Sequence, residues 1–591
     1  MEDLVAASGE RVTSAFRREA LFLGSLWVPG NTFAEELNVT KGRESALLGW
    51  IAPITKADQG KVTLLNDFGK WRQSHEYAYP TRFPVTLEGT RNWLGALLES
   101  GSRILFLLTD VEDRRIGHIG LAWNYDTSRI EIDSVLRGET APSGFMAAAM
   151  SWVEDYAYKE FNCQEVDLRV LESNKHAIGF YSRLKYSPTL KTPLEISYFD
   201  EVAKQQVTIQ DALITMTKNL EHSRGVPELI LTAGPSIGFR EKHYVADALA
   251  NGWNANHSKY LTTFQSDFTA FTGASHALAT SSCTGALHLA LAAIGVGPGD
   301  EVIVPALTWV ATASAVAYTG ATPVFSDVTS ESWTADPASI RSLINSKTKA
   351  IIAVHLYGFA ANMPVIRSLA DEHGLFLIED AAPAIGATIQ GGQAGTFGHF
   401  GCYSFQGAKL LVTGEGGMLT TNSKELFERA VKLQEHGRRP GTFWIDELGY
   451  KYKMSNMTAA LGLGQLHRAS AQIEKKRRIN DWYREFLASQ ERVRFQEDLP
   501  QAEGIAWMSS FYLEDGSEAE RDELMSHLKK SGIDSRPVFP SLTLFEFWKT
   551  RHNSLPVSAQ IGSSGINLPS GVMLSRNSVE KVSNAIMEFL E

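Results

Sequence analysis

The sequence predicts an α/β protein of two units, in which a smaller mixed α/β unit precedes a larger unit built on a parallel sheet. Two observations lead to this fold class. A polar stretch with Gly and Pro separates two differently patterned parts of the chain at about 221–232. Beyond it, short apolar runs alternate with helix-length segments to about residue 430, which is typical of parallel strands buried on both faces. We therefore expect an extension of unclear role at 1–60, units at 61–220 and 233–591, and a linker at 221–232.

The composition excludes several classes of protein. The 591 residues are 44% hydrophobic and 21% charged, which is ordinary for globular proteins. A net charge of −11 argues against nucleic-acid binding, which needs a clustered positive field. No apolar run reaches the roughly 18 residues of a membrane span, and the acidic start does not resemble a secretory signal. Three scattered cysteines favour neither a disulfide framework nor a metal site. We expect a cytoplasmic protein with no membrane, metal or nucleic-acid partner.

The first unit shows strand patterns followed by helical spacing. Strands are predicted at 103–109, 115–122 and 131–136. Apolar residues then recur at helical spacing from Met146, and a further helix is predicted at 210–216.

In the second unit, strands are predicted at 301–305, 322–325, 350–354 and 375–378. One long amphipathic helix is expected over 465–487, and a smaller α/β subdomain is expected from about 465. The basic run 475–478 is interpreted as the solvated face of that helix.

Four segments of the second unit carry residues suited to one kind of chemistry. Ser282, Cys283 and Thr284 open a helix and could offer backbone N–H groups to a phosphate, although such residues are also common helix caps. Asp380 ends an apolar strand, where a carboxylate can keep a pyridine nitrogen protonated or can cap a helix.

Lys409 and Trp309 complete this set. Lys409 lies between apolar residues and a Gly-rich turn, where burial would favour the neutral amine; the alternative is an ordinary solvated lysine. Trp309 could lie against a flat cofactor or could simply be a core residue.

In this order, Ser282-Cys283-Thr284, Trp309, Glu379-Asp380, Ser404 and Lys409 followed by Gly414-Glu415-Gly416-Gly417 resemble the DegT/DnrJ/EryC1/StrS family of nucleotide-sugar aminotransferases over about 229–591. The resemblance implies a fold-type I enzyme with a large parallel-sheet domain and a small C-terminal subdomain. It also implies pyridoxal 5'-phosphate as cofactor, a nucleotide-linked keto sugar and glutamate as substrates, and a homodimer. Products of such enzymes enter surface polysaccharides such as O-antigens.

The resemblance also assigns roles to individual residues. Lys409 would form the Schiff base with the cofactor and move protons during catalysis, Asp380 would pair with the pyridinium nitrogen, and Trp309 would stack on the ring. Cys283 is placed among the cofactor-binding residues, and Thr284 and Ser404 would hold the phosphate.

The sequence departs from the family pattern at three places. Pro383 replaces a Gln, Lys451 replaces an Asn that reaches the neighbouring subunit, and Ser541-Leu542-Thr543 replaces Pro-Leu-His.

A second resemblance lies in the first unit. The hairpin residues 116–121 and the stretch from Asn174 to Tyr186 are similar to GNAT-type N-acetyltransferases over about 62–203. This resemblance implies that Asn174 contacts coenzyme A, that Tyr181 protonates the departing thiolate, and that the helix start at Ser143 and Gly144 receives the pyrophosphate.

The acetyltransferase assignment leaves two points open. The loop 137–144 is longer than the family pattern and contains Pro142, which puts coenzyme binding in question. Glu131, Asp133 and His118 are candidate bases, and each could equally be structural.

Together the two resemblances predict transamination of a nucleotide-linked keto sugar followed by acetylation of the new amine from acetyl-CoA. One alternative is an aminotransferase whose first unit is a non-catalytic binding or assembly module. Another is a pyridoxal-binding regulator, against which an intact Lys409 and Asp380 argue.

Overall fold

The computed structural model describes residues 34–41, 44–80, 85–124, 127, 129–200, 204–221, 227–548 and 555–591. The chain divides into two compact units, Met1–Gly225 and Val226–Glu591. Residues 1–33 of the expected extension and 222–226 of the expected linker lie outside the described residues. The predicted fold class is confirmed in both units. Among the described residues, no helix is long and apolar enough to cross a membrane.

The first unit is built on an eight-stranded sheet in the order β1-β2-β3-β4-β5-β6-β8-β7. Its strands are β1 (Glu35–Lys41), β2 (Glu44–Pro53), β3 (Arg103–Asp110), β4 (Arg115–Asn124), β5 (Arg129–Arg137), β6 (Glu165–Leu171), β7 (Ser187–Asp200) and β8 (Gln205–Asn219). Neighbouring strands are antiparallel except β5 and β6, which pair in parallel at Ile130↔Val166 and Glu131↔Asp167.

Helices cover both faces of this sheet. They are α1 (Val62–Ser74), α2 (Leu87–Glu99), α3 (Phe145–Phe161) and α4 (Lys175–Arg183), with short 3-10 helices at Lys56–Gly60 and Glu76–Ala78. Because successive strand residues point to opposite faces, adjacent residues of β3 meet different helices. Leu105 packs in the cluster formed by α1 and α2, whereas Phe106 contacts Trp152 and Tyr156 of α3.

Two expectations for the first unit differ from the structure. The first sixty residues contribute β1 and β2 to the sheet, since β2 pairs with β3. The helix predicted at 210–216 is wrong, because these residues lie within β8. Ala212, Ile214 and Met216 are buried in alternation, and β8 pairs with β6 on one side and β7 on the other. Pairing on both sides overrides the helix propensity of Ala and Met.

The second unit contains a seven-stranded sheet in the order β11-β10-β12-β13-β16-β17-β9. Its strands are β9 (His276–Thr280), β10 (Glu301–Pro305), β11 (Thr322–Ser326), β12 (Thr348–Val354), β13 (Phe376–Asp380), β16 (Phe400–Ser404) and β17 (Gly417–Thr421). β17 runs antiparallel to both of its neighbours, so the predicted parallel sheet has one reversed strand.

Helices surround this sheet and continue to the end of the chain. They are α5 (Phe239–Asn251), α6 (Lys259–Thr272), α7 (Cys283–Ala293), α8 (Ala311–Tyr318), α9 (Pro337–Leu343), α10 (Met363–Glu372), α11 (Lys424–Gln434), α12 (Asn456–Leu466), α13 (Ala469–Phe486), α14 (Glu518–Lys530), α15 (Pro556–Ser564) and α16 (Arg576–Leu590). Short 3-10 helices lie at Asn254–Asn256, Leu356–Gly358, Leu542–Leu544 and Glu546–Trp548.

Two small sheets complete the unit. One consists of β14 (Thr388–Ile389), β15 (Gly392–Gln393) and β19 (Ala502–Glu503). The other consists of β18 (Val493–Phe495), β20 (Ser510–Leu513), β21 (Arg536–Pro537) and β22 (Gly565–Asn567). The four-stranded sheet shares a separate apolar core with α13, α14 and α16.

The long helix predicted over 465–487 is confirmed as α13 (Ala469–Phe486), except that Gln465 and Leu466 end the separate helix α12. The two helices meet at Arg468, whose buried guanidinium forms an ion pair of 2.6 Å with the buried carboxylate of Glu241. The interpretation of 475–478 as a solvated face is wrong. Lys475 and Lys476 are buried, and the Lys476 ammonium donates hydrogen bonds to the carbonyl groups of Trp507 and Ser570.

Candidate functional site

The amine of Lys409 lies at the centre of a cluster in the second unit. Lys409 follows β16 in a turn closed by Gln406 and Gly414, and its Nζ lies 3.8 Å from the centre of the Trp507 ring. Burial lowers the pKa of Lys409 to about 8, although the negative charge of Asp380 opposes this shift. A sizeable fraction of Lys409 is therefore the neutral, nucleophilic amine near pH 8.

Asp380 ends β13, where its carboxylate is almost completely buried. Thr312 donates a hydrogen bond of 2.7 Å to Oδ2, and the backbone N–H of Ala382 donates one of 3.2 Å to Oδ1. Burial raises the pKa of Asp380, while these two donors favour the ionised form. The adjacent Glu379 is fully buried and accepts a hydrogen bond of 3.0 Å from His355. These contacts fix the end of β13.

The start of α7 lies beside this cluster. Ser282 caps the helix, since its hydroxyl accepts a hydrogen bond of 3.0 Å from the N–H of Gly285. Cys283 and Thr284 occupy the first two helical positions, where N–H groups have no intrahelical acceptor. Gly417 allows β17 to approach, because a Cβ there would lie 2.6 Å from the Cys283 nitrogen. Backbone N–H groups at a helix start favour an anion, so this end of α7 has the chemistry that suits a phosphate.

Ser404 ends β16 and is buried. Its hydroxyl oxygen accepts a hydrogen bond of 3.3 Å from the backbone N–H of Gln406. The structure thus places Ser404 at the start of the turn that carries Lys409.

A row of aromatic rings connects Trp309 to Lys409. Trp309 is 60% exposed, and its ring lies 5.5 Å from that of Phe539. Phe539 stacks on Tyr357 at 5.2 Å, and Tyr357 stacks on Trp507 at 6.1 Å. Trp507 in turn lies under the Lys409 amine, so the row lines one side of the site.

Two residues of this site are absent from the sequence-based prediction. Thr312 could have been suspected, because it follows Trp309 by three residues and comes one turn after Thr308. Trp507 could not, since it lies in no recognisable motif. Its indole N–H donates a hydrogen bond of 2.8 Å to the carbonyl of Ala408, which fixes the ring beside Lys409.

Of the residues predicted to act in the first unit, three lie at the starts of two helices, and the fourth is a buried tyrosine. Gly144 precedes α3 with a left-handed φ of 89°, and both Ser143 and Gly144 are exposed. Asn174 caps α4, where its side-chain oxygen accepts a hydrogen bond of 3.1 Å from the N–H of Ala177. Tyr181 lies on α4 and is 8% exposed; burial raises its pKa to about 12.

The three candidate bases of the first unit have different surroundings. Glu131 accepts hydrogen bonds from Arg169 at 2.7 Å and Asn124 at 3.1 Å. His118 is buried, which lowers its pKa to about 4, and the pKa of Asp133 is raised to about 6 by burial.

Residues 235–587 match the model of the DegT/DnrJ/EryC1/StrS aminotransferase family. The chain belongs to this family. Residues 50–187 match the acetyltransferase (GNAT) domain, so the first unit of this aminotransferase family member carries that domain.

Curated relatives and a solved structure resemble the aminotransferase part. The GDP-perosamine synthase of Vibrio cholerae is 38% identical over 359 residues, which is 60% of this chain and 97% of the relative. The putative pyridoxal phosphate-dependent aminotransferase EpsN of Bacillus subtilis is 32% identical and covers 61% of this chain and 95% of its own. The aminotransferase TlmJ of Streptoalloteichus hindustanus has a TM-score of 0.59 at 29% identity, covering 61% of this chain and 99% of its own.

The side chains of the site fit pyridoxal phosphate, the cofactor of this family. The helix start at Cys283 and Thr284 suits its phosphate, the Asp380 carboxylate suits its ring nitrogen, and the Lys409 amine suits its aldehyde. When bound, the cofactor supplies an electron sink. Among the described residues, no group of His, Cys, Asp or Glu side chains could hold a metal ion.

The structure shows the surroundings of the three positions at which the sequence departs from the family pattern. Pro383 is buried and has no donor to offer a cofactor hydroxyl. Lys451 is exposed, and its backbone pairs with Glu435. The N–H of Leu542 donates a hydrogen bond of 2.8 Å to the carbonyl of Ala306.

Proposed function

We propose that the second unit transfers an amino group from glutamate to a nucleotide-linked keto sugar, and that the first unit then transfers an acetyl group from acetyl-CoA to the new amine. The observation that carries the proposal is the arrangement of the Lys409 amine, the buried Asp380 carboxylate at the end of β13 and the start of α7. A neutral amine, a buried carboxylate and an anion site are the three groups that pyridoxal phosphate needs.

In this mechanism four side chains of the second unit have separate roles. Lys409 would hold the cofactor at its aldehyde carbon through its amine and, once the substrate is bound, would move protons at the reacting carbon. Asp380 would hold the ring nitrogen in its protonated form, and the hydrogen bond from Thr312 favours the ionised form of Asp380. Trp507 fixes the direction from which the Lys409 amine approaches.

The relatives suggest which sugar to test first. Because the Vibrio cholerae relative is named a GDP-perosamine synthase, a GDP-linked keto sugar is the first candidate substrate. The reaction would take place in the cytoplasm, where acetyl-CoA and glutamate are available, and its product would enter surface polysaccharide. Because both reactions act on one amine, joining the units in one chain raises the local concentration of the intermediate.

We also propose that the active form is a homodimer through the second unit. The loop between α11 and α12 presents Phe443, Trp444 and Leu448 with exposed fractions of 96%, 66% and 91%. Clustered exposed apolar side chains of this size are typical of a protein–protein contact. A second copy of the chain is the partner that the family resemblance implies.

The test is mass spectrometry of purified protein with glutamate and a panel of nucleotide-linked keto sugars, with and without acetyl-CoA. We expect an amino sugar in both reactions and one added acetyl group only with acetyl-CoA. Lys409→Ala should abolish amination, while Tyr181→Phe should slow acetylation and leave amination unchanged. Failure to aminate any sugar would refute the main proposal.

A non-catalytic first unit remains the second candidate function, and one observation favours it. The Glu139 carboxylate, in the long loop after β5, is held by Lys70 at 2.8 Å and by the Trp71 indole at 3.1 Å. This loop is therefore fixed by α1 before any coenzyme arrives. Amination without acetylation on every sugar would select this alternative.

A further inference from the structure

The side chain of Asp133 on β5 has room beside β4 because the residue opposite it is a glycine. It pairs with Gly120 of β4, and a Cβ at residue 120 would lie 2.5 Å from its carboxylate oxygen. The Asp133 side chain is 15% exposed, and Arg103 of β3 approaches it to 3.5 Å. The carboxylate is thus mostly buried yet still accessible from solvent.

A β-bulge turns Asp133 in this direction. The register between β4 and β5 shifts between His118 and Gly120, and Ser134 adopts a left-handed φ of 50°. His118 Nδ1 lies 2.7 Å from the Ser134 carbonyl oxygen, which can only accept, so the ring donates this hydrogen bond. His118 thereby holds the bulge in place from β4.

Tyr79 connects Asp133 to Tyr181. Burial is the main cause of the raised pKa of both Tyr79 and Tyr181; the charge of Asp133 adds to the shift of Tyr79, and Tyr79 adds to the shift of Tyr181. The Arg72 guanidinium lies 3.5 Å above the Tyr79 ring. Tyr79 therefore lies within electrostatic range of both Asp133 and the predicted acid Tyr181.

The other two candidate bases are less suited to receive a proton. Each oxygen of Glu131 accepts a hydrogen bond, one from Arg169 and one from Asn124. His118 uses Nδ1 to hold Ser134, and its pKa near 4 makes it a weak base. Asp133, with a pKa near 6, is largely ionised at neutral pH and still a stronger base than an exposed carboxylate.

We propose that Asp133 is the general base of acetyl transfer, with His118 as the positioning residue that orients it through the bulge. This inference rests on the proposed acetyltransferase activity of the first unit. Asp133 accepts one proton from the protonated amine of the acceptor, and the nitrogen lone pair then attacks the thioester carbon of acetyl-CoA. As the C–N bond forms and the C–S bond breaks, Tyr181 gives its proton to the thiolate and takes the second proton from nitrogen.

Several charged groups surround Asp133 and set its titration. Arg103 from β3 and Arg169 from β6 lower its pKa, whereas Glu131 on the same strand raises it. The Ser134 hydroxyl lowers it, and Tyr79 faces it from the segment after α1. Burial outweighs these groups, so acetylation should increase with pH through about 6 as Asp133 ionises.

The experiment measures thiol release from acetyl-CoA by the full-length holoenzyme, with the amino sugar that its own second unit produces as acceptor. Asp133→Asn should lower kcat by about a hundredfold or more and leave the KM for acetyl-CoA unchanged. It should also remove the rise in rate near pH 6. Amination by the same preparation is the folding control, and Glu112→Gln, in an exposed turn, is the matched carboxylate control.

His118→Phe separates positioning from proton transfer. This variant should lower kcat but keep an acid limb in the pH profile, because Asp133 is still present. The kcat of Glu131→Gln should stay within about tenfold of wild type, and its pH profile should retain the acid limb.

Each outcome gives a decision. If the wild-type protein acetylates the amine and Asp133→Asn behaves like wild type, the assignment of Asp133 is wrong while the proposed function stands. If only Glu131→Gln removes the acid limb, Glu131 is the base. If the wild-type protein releases no thiol with any acceptor, both the proposed acetyl transfer and this inference are overturned.

Discussion

Replacing Thr312 by Val should shift the pH dependence of cofactor binding to higher pH. Thr312 donates a hydrogen bond of 2.7 Å to the buried carboxylate of Asp380, and valine has the same shape without the donor. A hydrogen bond to a buried charge contributes about 1.5 to 3 kcal/mol. At about 1.4 kcal/mol per pKa unit, its loss should raise the pKa of Asp380 by about 1 to 2 units beyond the shift that burial already causes.

The sign of the effect follows from the charge that binding requires. Asp380 must be ionised to hold a protonated ring nitrogen, so the affinity of the apo protein for pyridoxal phosphate should fall once the pH drops below the pKa of Asp380. In Thr312→Val this fall should begin about 1 to 2 pH units higher, while the affinity at high pH stays close to wild type.

The assay is an absorbance titration of the apo protein with pyridoxal phosphate at several pH values between 5 and 9. Thr308→Val is the matched control, because the Thr308 hydroxyl contacts Thr312 at 3.2 Å and donates nothing to Asp380. Identical curves for Thr312→Val and wild type, or an equal displacement in Thr308→Val, would refute this account of Asp380.

Three further predictions concern other buried charges. In the apo protein, the rate at which an amine-reactive reagent labels Lys409 should be half-maximal near pH 8, as peptide mass spectrometry can show. Asp380→Asn should move this midpoint lower, because the negative charge of Asp380 raises the pKa of Lys409. Glu241→Gln should destabilise the second unit by about 3 to 5 kcal/mol in thermal unfolding, because it removes the buried counter-charge of Arg468. Glu372→Gln, in an exposed pair with Arg341, should leave the unfolding temperature nearly unchanged. Burial lowers the pKa of Lys476 to about 7, so between about pH 7 and 10.5 the unfolded chain binds more protons than the folded one. The free energy of unfolding should therefore rise with pH over this range. In Lys476→Met, urea unfolding should show no contribution of this residue to that rise.

The placement of the aminotransferase site could be predicted because its residues end neighbouring strands. Asp380 ends β13 and Ser404 ends β16, and parallel strands bring their carboxyl ends to one edge of a sheet. Lys409 follows the same edge in the next turn. Trp507 reaches the site from the C-terminal part of the chain, and no local pattern around it indicates this.

Two of the differences between prediction and structure share one physical cause. Residues 210–216 contain helix-favouring Ala and Met, but they are a strand because β6 and β7 pair with both of its edges. The start of the helix predicted over 465–487 is displaced to Ala469, because the helical backbone breaks at Arg468, which contacts Glu241, 227 residues earlier. In both cases a partner distant in sequence decides the local structure.

Burial shifts the pKa values of the two proposed proton acceptors in opposite directions, and both shifts are towards neutral pH. It lowers the pKa of Lys409 to about 8 and raises the pKa of Asp133 to about 6, because a buried ammonium loses its charge more readily and a buried carboxyl group gains one less readily. Between these values Asp133 is mostly ionised and part of Lys409 is already neutral. Under the proposed two-step function, the pH ranges of amination and acetylation should overlap between these two values, so that an amine made by one unit would form under conditions in which the other could accept its proton.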